Sequence, residues 1–229
     1  MIAGHHIAMA KSGLLPSDYV ELPFVNTNGD TVSGDAKKVD SSAAFSTGFT
    51  PTANTVVETE LCPGDNGTGE WETYMGGSSN GDAQTGAWLL RRFSYPPNIV
   101  FTVNSWTGDG ASVAFTNSIS WIRLHISTSS VDFDVDGVTS TVAVPNSSSF
   151  TGVAPIWIGA SGRQSTGDSF RGCKALFKRT LIYDNGVLVR DYVPAKRKSD
   201  LVCGFYELVN GEFKTSTVPN HVFTENGYQ

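Results

Sequence analysis

The chain has 229 residues, 17% of them charged, with a net charge of −6 and a pI near 5.1. That length buries a sizeable core and fits one large all-β domain or two small ones. The acidic balance lacks the basic stripe of a nucleic-acid binder. No window approaches the roughly 18 apolar residues of a membrane span.

The opening MIAGHHIAMAKSGLL has neither a basic n-region nor a sustained apolar run, so no secretory signal is expected. Residues 1–15 read as an arm ahead of one domain over 16–229. The adjacent His5 and His6 read as solvated rather than metal-ligating. From Pro16 onward the pattern is strand, turn, strand. Residues 55–61 are rich in β-branched types and stop at Pro63-Gly64. Residues 70–75 alternate, with Trp71, Thr73 and Met75 on one face, and run into a polar loop over 76–81. Strands follow at 87–93, 99–103 and 111–115, broken by Pro96-Pro97 and a Gly108-Asp109-Gly110 turn.

Residues 119–126 alternate again, with Trp121, Arg123 and His125 on one face and Ile122, Leu124 and Ile126 on the other. Later strands fall near 131–135, 138–144, 154–158, 175–183, 187–192, 202–208 and 212–215. Asn185-Gly186 and Asn210-Gly211 read as two-residue hairpin turns, because Asn-Gly tolerates positive φ at both central positions. The basic run Ala195-Lys196-Arg197-Lys198 reads as a solvated turn. About a dozen short strands without a helix predict an all-β fold, an antiparallel two-sheet jelly-roll sandwich.

Cys62, Cys173 and Cys203 form no CxxC pair and are odd in number. They read as free thiols in a chain that folds in a reducing compartment, with no zinc site. The row VDFDVDGV, residues 131–138, resembles the start of a calcium loop, with Asp132, Asp134, Asp136 and Gly137 at positions 1, 3, 5 and 6. Position 12 is Ala143, which offers no side-chain oxygen, so the loop fails. As a strand, Val131, Phe133 and Val135 share one face and the aspartates the other, with Asp136-Gly137 as the turn.

Laminarinase-like glucanases carry their acids on one strand as ExDxxE, and that pattern occurs nowhere in this chain. Glu58/Glu60 and Glu70/Glu72 also lack the third acid. His5, His6, His125 and His221 accompany no GxSxG or HExxH motif, so no catalytic residue, metal or cofactor is assigned.

The run LIYDNGVLVRDYVPAKRKSDLVCGFYELVNGEF resembles the end of laminin-G-like, concanavalin A-like jelly-roll domains of phage and prophage proteins. The matching residues are Ile182-Tyr183-Asp184, Val189-Arg190-Asp191, Val193-Pro194, Arg197, Gly204, Tyr206, Val209-Asn210-Gly211 and Phe213. The segments 16–22 and 47–51 are similar to the openings of those domains, and Trp121, Asp136-Gly137 and Ile158-Gly159 match loosely in the centre.

The resemblance implies two packed sheets with a face or loop rim open to glycans, in a virion surface protein assembled in the bacterial cytoplasm. Its implied partners are other virion proteins, docked through residues 1–15, a glycan, and copies of itself, with no nucleic acid and no membrane. Sugar sites stack rings on exposed aromatics. The carbohydrate-binding candidates are Trp88, Tyr95 and Trp106, with Arg91 as polar partner. Two alternatives stand beside this: a structural virion module without sugar affinity, and a glucanase.

Overall fold

The computed structural model describes residues 15–32, 35–64, 72–79, 86–93, 98–105, 110–114, 120–145, 150–164, 167 and 169–227. Of the arm expected over 1–15, only Leu15 falls among them.

The described residues form strands and no helix. In chain order these are β1 (Tyr19–Glu21), β2 (Val25–Asn26), β3 (Asp30–Val32), β4 (Asp35–Ser41) and β5 (Phe45–Ser46). Then come β6 (Thr55–Pro63), β7 (Thr73–Ser78), β8 (Trp88–Phe93), β9 (Asn98–Val103) and β10 (Ala111–Ala114). The next are β11 (Ile122–Ser127), β12 (Ser130–Val135), β13 (Val138–Ala143), β14 (Trp157–Ile158) and β15 (Ala160–Arg163). The last are β16 (Ser169–Gly172), β17 (Ala175–Asp184), β18 (Val187–Arg197), β19 (Cys203–Glu207) and β20 (Glu212–Lys214).

Two sheets pack face to face. The ten-stranded sheet runs β13-β12-β11-β6-β17-β18-β19-β20, with β1 added to β18 and β2 to β17. The eight-stranded sheet runs β10-β9-β8-β7-β14-β5, and β15 joins β7 in the one parallel pairing among the described residues while also pairing β16. β3 and β4 form a separate ribbon. This is the all-β, two-sheet jelly roll that the strand pattern predicts.

The ten-stranded sheet follows the period of two. Ile122, Leu124 and Ile126 of β11 and Val131 and Phe133 of β12 are fully buried against the opposite sheet. Their neighbours Arg123, His125, Asp132 and Asp134 face out. Each large apolar side chain buried this way contributes about 1.5–3 kcal/mol. A one-residue slip would exchange the two sets, so burial fixes the register.

The inner strands of the eight-stranded sheet are dry on both faces, whereas β10 at its edge exposes Ser112 and Ala114. Trp88, Leu90, Phe101 and Val103 face the core, and the alternate residues Leu89, Arg91, Val100 and Thr102 are buried as well. Gly76 and Gly77, expected in a loop, lie within β7. A Cβ on Gly77 would stand 2.5 Å from the Pro155 carbonyl oxygen, so close backbone approach requires glycine there.

Turn chemistry divides the expected hairpins. Asn185 and Gly186 have φ of 50° and 76°, and Asp136 and Gly137 have 53° and 81°, so both are two-residue turns with positive φ throughout. Asn210-Gly211 is different. β19 ends at Glu207 and β20 begins at Glu212, a four-residue connection in which Gly211 alone has positive φ. The buried Glu207 carboxylate organises it, accepting the N–H groups of Val209 (2.9 Å), Asn210 (2.9 Å) and Asp191 (3.0 Å).

Two further expectations are corrected. The basic run is not a turn: Ala195, Lys196 and Arg197 continue β18, paired on one side with β1 and, through Ala195 and Lys196, on the other with β19. Lys196 pairs with Glu225 and Arg197 with Asp200, while Lys198 donates to the Ser17 carbonyl. The strand expected over 154–158 is only Trp157–Ile158, because Pro155 has no N–H and Ile156 bonds instead to Phe49 and Thr47. Cys62 and Cys173 are buried free thiols and Cys203 is a half-buried one.

Replacing Glu207 with Ala strands three backbone donors, one of them in the buried β18 backbone. A loss of about 2–3 kcal/mol is expected, read as a lower urea midpoint with an unchanged slope.

Candidate functional site

The solvent-facing side of the ten-stranded sheet collects most of the polar chemistry of the described residues. Register places it there. Asp132 of β12 stands opposite Thr141 of β13 on one side and His125 of β11 on the other, and His125 stands opposite Glu58 of β6. One step along, Thr139, Asp134, Arg123 and Glu60 form a second cross-strand row. Alternation put these residues on outward faces. Only the strand order β13-β12-β11-β6 makes them neighbours.

Acids and cations alternate across the rows. His125 Nδ1 lies 3.2 Å from Glu58 Oε1, Lys178 Nζ donates to Glu60 Oε1 at 2.6 Å, and Arg123 stands 3.9 Å from the other Glu60 oxygen. Thr141 donates to Asp132 at 2.7 Å, and Asp134 accepts the Gly137 N–H at 3.0 Å, which holds the hairpin turn. The acidic row is therefore a charge-compensated strand face. Lys178 Nζ also sits 4.0 Å from the centre of the half-buried Trp121 ring.

The rows lead to Tyr183 on β17, half-buried and facing out. Its phenol is raised above its ordinary value first by burial and then by the nearby Glu58 and Asp191 carboxylates, with Arg179 opposing. Asp191 is held by Arg179 in a two-pronged pair, with Nε to Oδ1 at 2.7 Å and Nη2 on the other oxygen. Tyr183 thus lies within electrostatic reach of Glu58 on one neighbouring strand and of the Arg179–Asp191 pair on the other side, two residues beyond Leu181, which stands opposite both Glu58 and Asp191 in register. That combination suits a ligand with one apolar face and many hydroxyls.

The positions singled out from sequence lie elsewhere. Trp88 is 0% exposed and packs edge-on against Phe101, with ring centres 4.8 Å apart. Arg91 is 1% exposed on the opposite face of the same strand, its pKa lowered to about 10 by burial and then by Arg171. Neither stands on an exposed rim, because both faces of β8 are covered. Tyr95 and Trp106 lie outside the described residues, as does Glu70. Glu72 is fully buried, and burial pushes its carboxyl up to about 8 against the pull of Arg92 and Lys174. Tyr183 was missed as a site residue although LIYDNG contains it. An outward tyrosine two residues before an Asn-Gly turn is a signal the strand period offers.

The fold is an all-β two-sheet jelly-roll sandwich. Solved structures similar to the chain include mouse laminin α1 domains LG4-5, at 18% identity over 74% of this chain and 44% of that one, with a TM-score of 0.44. They also include the enzymatically active domain of bacteriophage CBA120 tailspike protein 2, at 14% identity over 76% and 30%, with a TM-score of 0.41. A third is the Ruminococcus gnavus IT-sialidase CBM40 bound to α2,3-sialyllactose, at 13% identity over 74% and 91%, with a TM-score of 0.35. The chain spans less than half the length of the laminin and tailspike chains. No protein-family model and no curated protein sequence matches it.

The His125–Glu58 pair gives a pH test. The imidazole is raised above its ordinary 6.5, first by the hydrogen bond to Glu58, then further by the charges of Glu58 and Asp132, with burial opposing. Its stabilisation is complete below 6.5 and is lost as pH rises through the raised folded value. Glu58→Gln is expected to lower the His125 titration midpoint in an NMR titration and to flatten that loss of stability above pH 6.5.

Proposed function

We propose that the chain is a non-enzymatic, lectin-like module of a phage virion surface protein, decorating the capsid or associated with the tail or a fibre. Its ligand is a host or environmental glycan, bound on the outer face of the ten-stranded sheet. The observation that carries this reading is that the Glu58–His125 and Arg179–Asp191 pairs and the half-buried Tyr183 share the outer face of adjacent strands. The virion setting rests on the sequence resemblance over residues 181–213. Residues 1–15 are proposed to dock the module to neighbouring virion proteins.

One feature supports binding rather than hydrolysis. Glu58, Glu60, Asp132 and Asp134 are each engaged by a neighbouring donor or cation. The same engagement favours a second reading, a structural module without sugar affinity, since few groups on the face are left unsatisfied.

A glycan array on the whole chain separates the two. Glycan binding is expected, and Tyr183→Ala should weaken it about 10–30-fold, the effect of losing an aromatic anchor worth roughly 1.4–2 kcal/mol. Absence of binding to every polysaccharide would favour the structural reading, and sugar release from glucans would overturn the non-enzymatic one.

A further inference from the structure

Among the described residues, the ten-stranded sheet ends on one side at β13. Sheet edges expose unpaired N–H and C=O groups, and proteins blunt them with charge, proline, bulges or short length. At the other end of this sheet, β20 has three residues and carries Glu212 and Lys214. In the eight-stranded sheet, the terminal β5 has two residues. β13 has none of these protections. It is six residues long, VTSTVA, without charge, proline or bulge, and Val138 to Thr141 are all exposed, Val138 at 68%. The strand packed beside it in the other sheet, β10, is likewise uncharged, ASVA.

The hydrogen-bonding phase of β13 is set by its partner. Val144 donates to the Ser129 carbonyl at 2.8 Å, so Val142, Ser140 and Val138 direct their backbone groups to β12. Thr139, Thr141 and Ala143 therefore direct theirs to the open side. Val138-Thr139-Ser140-Thr141-Val142 is also a palindrome. Antiparallel pairing with an identical strand about Ser140 would set Val138 opposite Val142, Thr139 opposite Thr141 and Ser140 opposite itself.

We propose that β13 is a self-recognition edge: two copies of the chain pair β13 to β13, antiparallel and two-fold about Ser140, joining their ten-stranded sheets into one. The free backbone groups of Thr139 and Thr141 then meet those of the second copy, forming four hydrogen bonds. Threonine faces threonine across the seam, a favourable cross-strand pair. Charge does not oppose the approach. The nearby acids are Asp132 and Asp134 on β12 and Asp136 in the turn before β13; the two β12 strands would stand about 14 Å apart and the two Asp136 residues, at opposite ends of the seam, roughly 26 Å apart, all beyond the screening length of roughly 8–10 Å. The two-fold axis runs through the sheet, so both outer faces point the same way and the assembly is bivalent.

The test is the oligomeric state of the whole chain by sedimentation equilibrium. A dimer is expected for wild type. Thr139→Lys combined with Thr141→Lys should give a monomer, because like charges then stand opposite each other. Thr139→Lys combined with Thr141→Glu should restore the dimer, because each new cation faces a new anion across the two-fold. Ser140→Cys should cross-link to itself on oxidation where wild type does not, since a non-hydrogen-bonded pair has Cα atoms about 4.5 Å apart, within disulfide range. A wild-type chain that stays monomeric over micromolar concentrations overturns the proposal. So does a dimer that survives the double lysine substitution, which places the interface elsewhere.

Discussion

The dry seam between the two sheets is the constraint from which the other features follow. One continuous cluster, from Val57, Leu61, Leu124 and Phe133 on one side to Trp88, Leu90 and Phe101 on the other, fills it. Strands that face this seam must alternate strictly or lose their burial. That requirement sets which side chains of β6, β11, β12 and β17 are left to meet water. The outer face of the ten-stranded sheet is thus a consequence of the core, and its polar rows are arranged by the register that apolar packing imposes.

On that face, electrostatics works between strands rather than along them. Asp132 and Asp134 are neighbours in sequence and repel, yet each meets a threonine strand on one side and a cation-bearing strand on the other. The result is a rigid, charge-compensated surface with Trp121 and Tyr183 among the pairs. Under the proposed function, such a surface would hold its side chains in place before a ligand arrives, which reduces the ordering cost of binding. The same sheet ends at β13 without charge, so the chain keeps its electrostatics on one face and off one edge.

Much of this was legible in the residues. The strand pattern, the Asp136-Gly137 and Asn185-Gly186 turns and the failure of VDFDVDGV as a calcium loop all follow from local rules. Other features were not. Asn210-Gly211 looks like a two-residue turn, and the carboxylate of Glu207, reaching three N–H groups, lengthens it to four. Trp88 and Arg91 look like site residues because sugar sites stack rings on aromatics with a polar partner near the loops. Arg91 is instead a buried cation on a strand covered from both sides.

The sequence by itself determined the element type, the inward and outward sets of the half-wet strands, and the tightest turns, because each depends on residues within a few positions of one another. Only the tertiary structure decided that β6 lies between β11 and β17, so that Glu58 meets His125 and Tyr183, and that β8 is dry on both faces. Strand order joins segments more than 100 residues apart, such as Thr59 and Thr180, 121 residues apart, whose hydroxyls meet at 2.8 Å. No local preference encodes a contact of that range. It is selected by the burial of the whole seam at once.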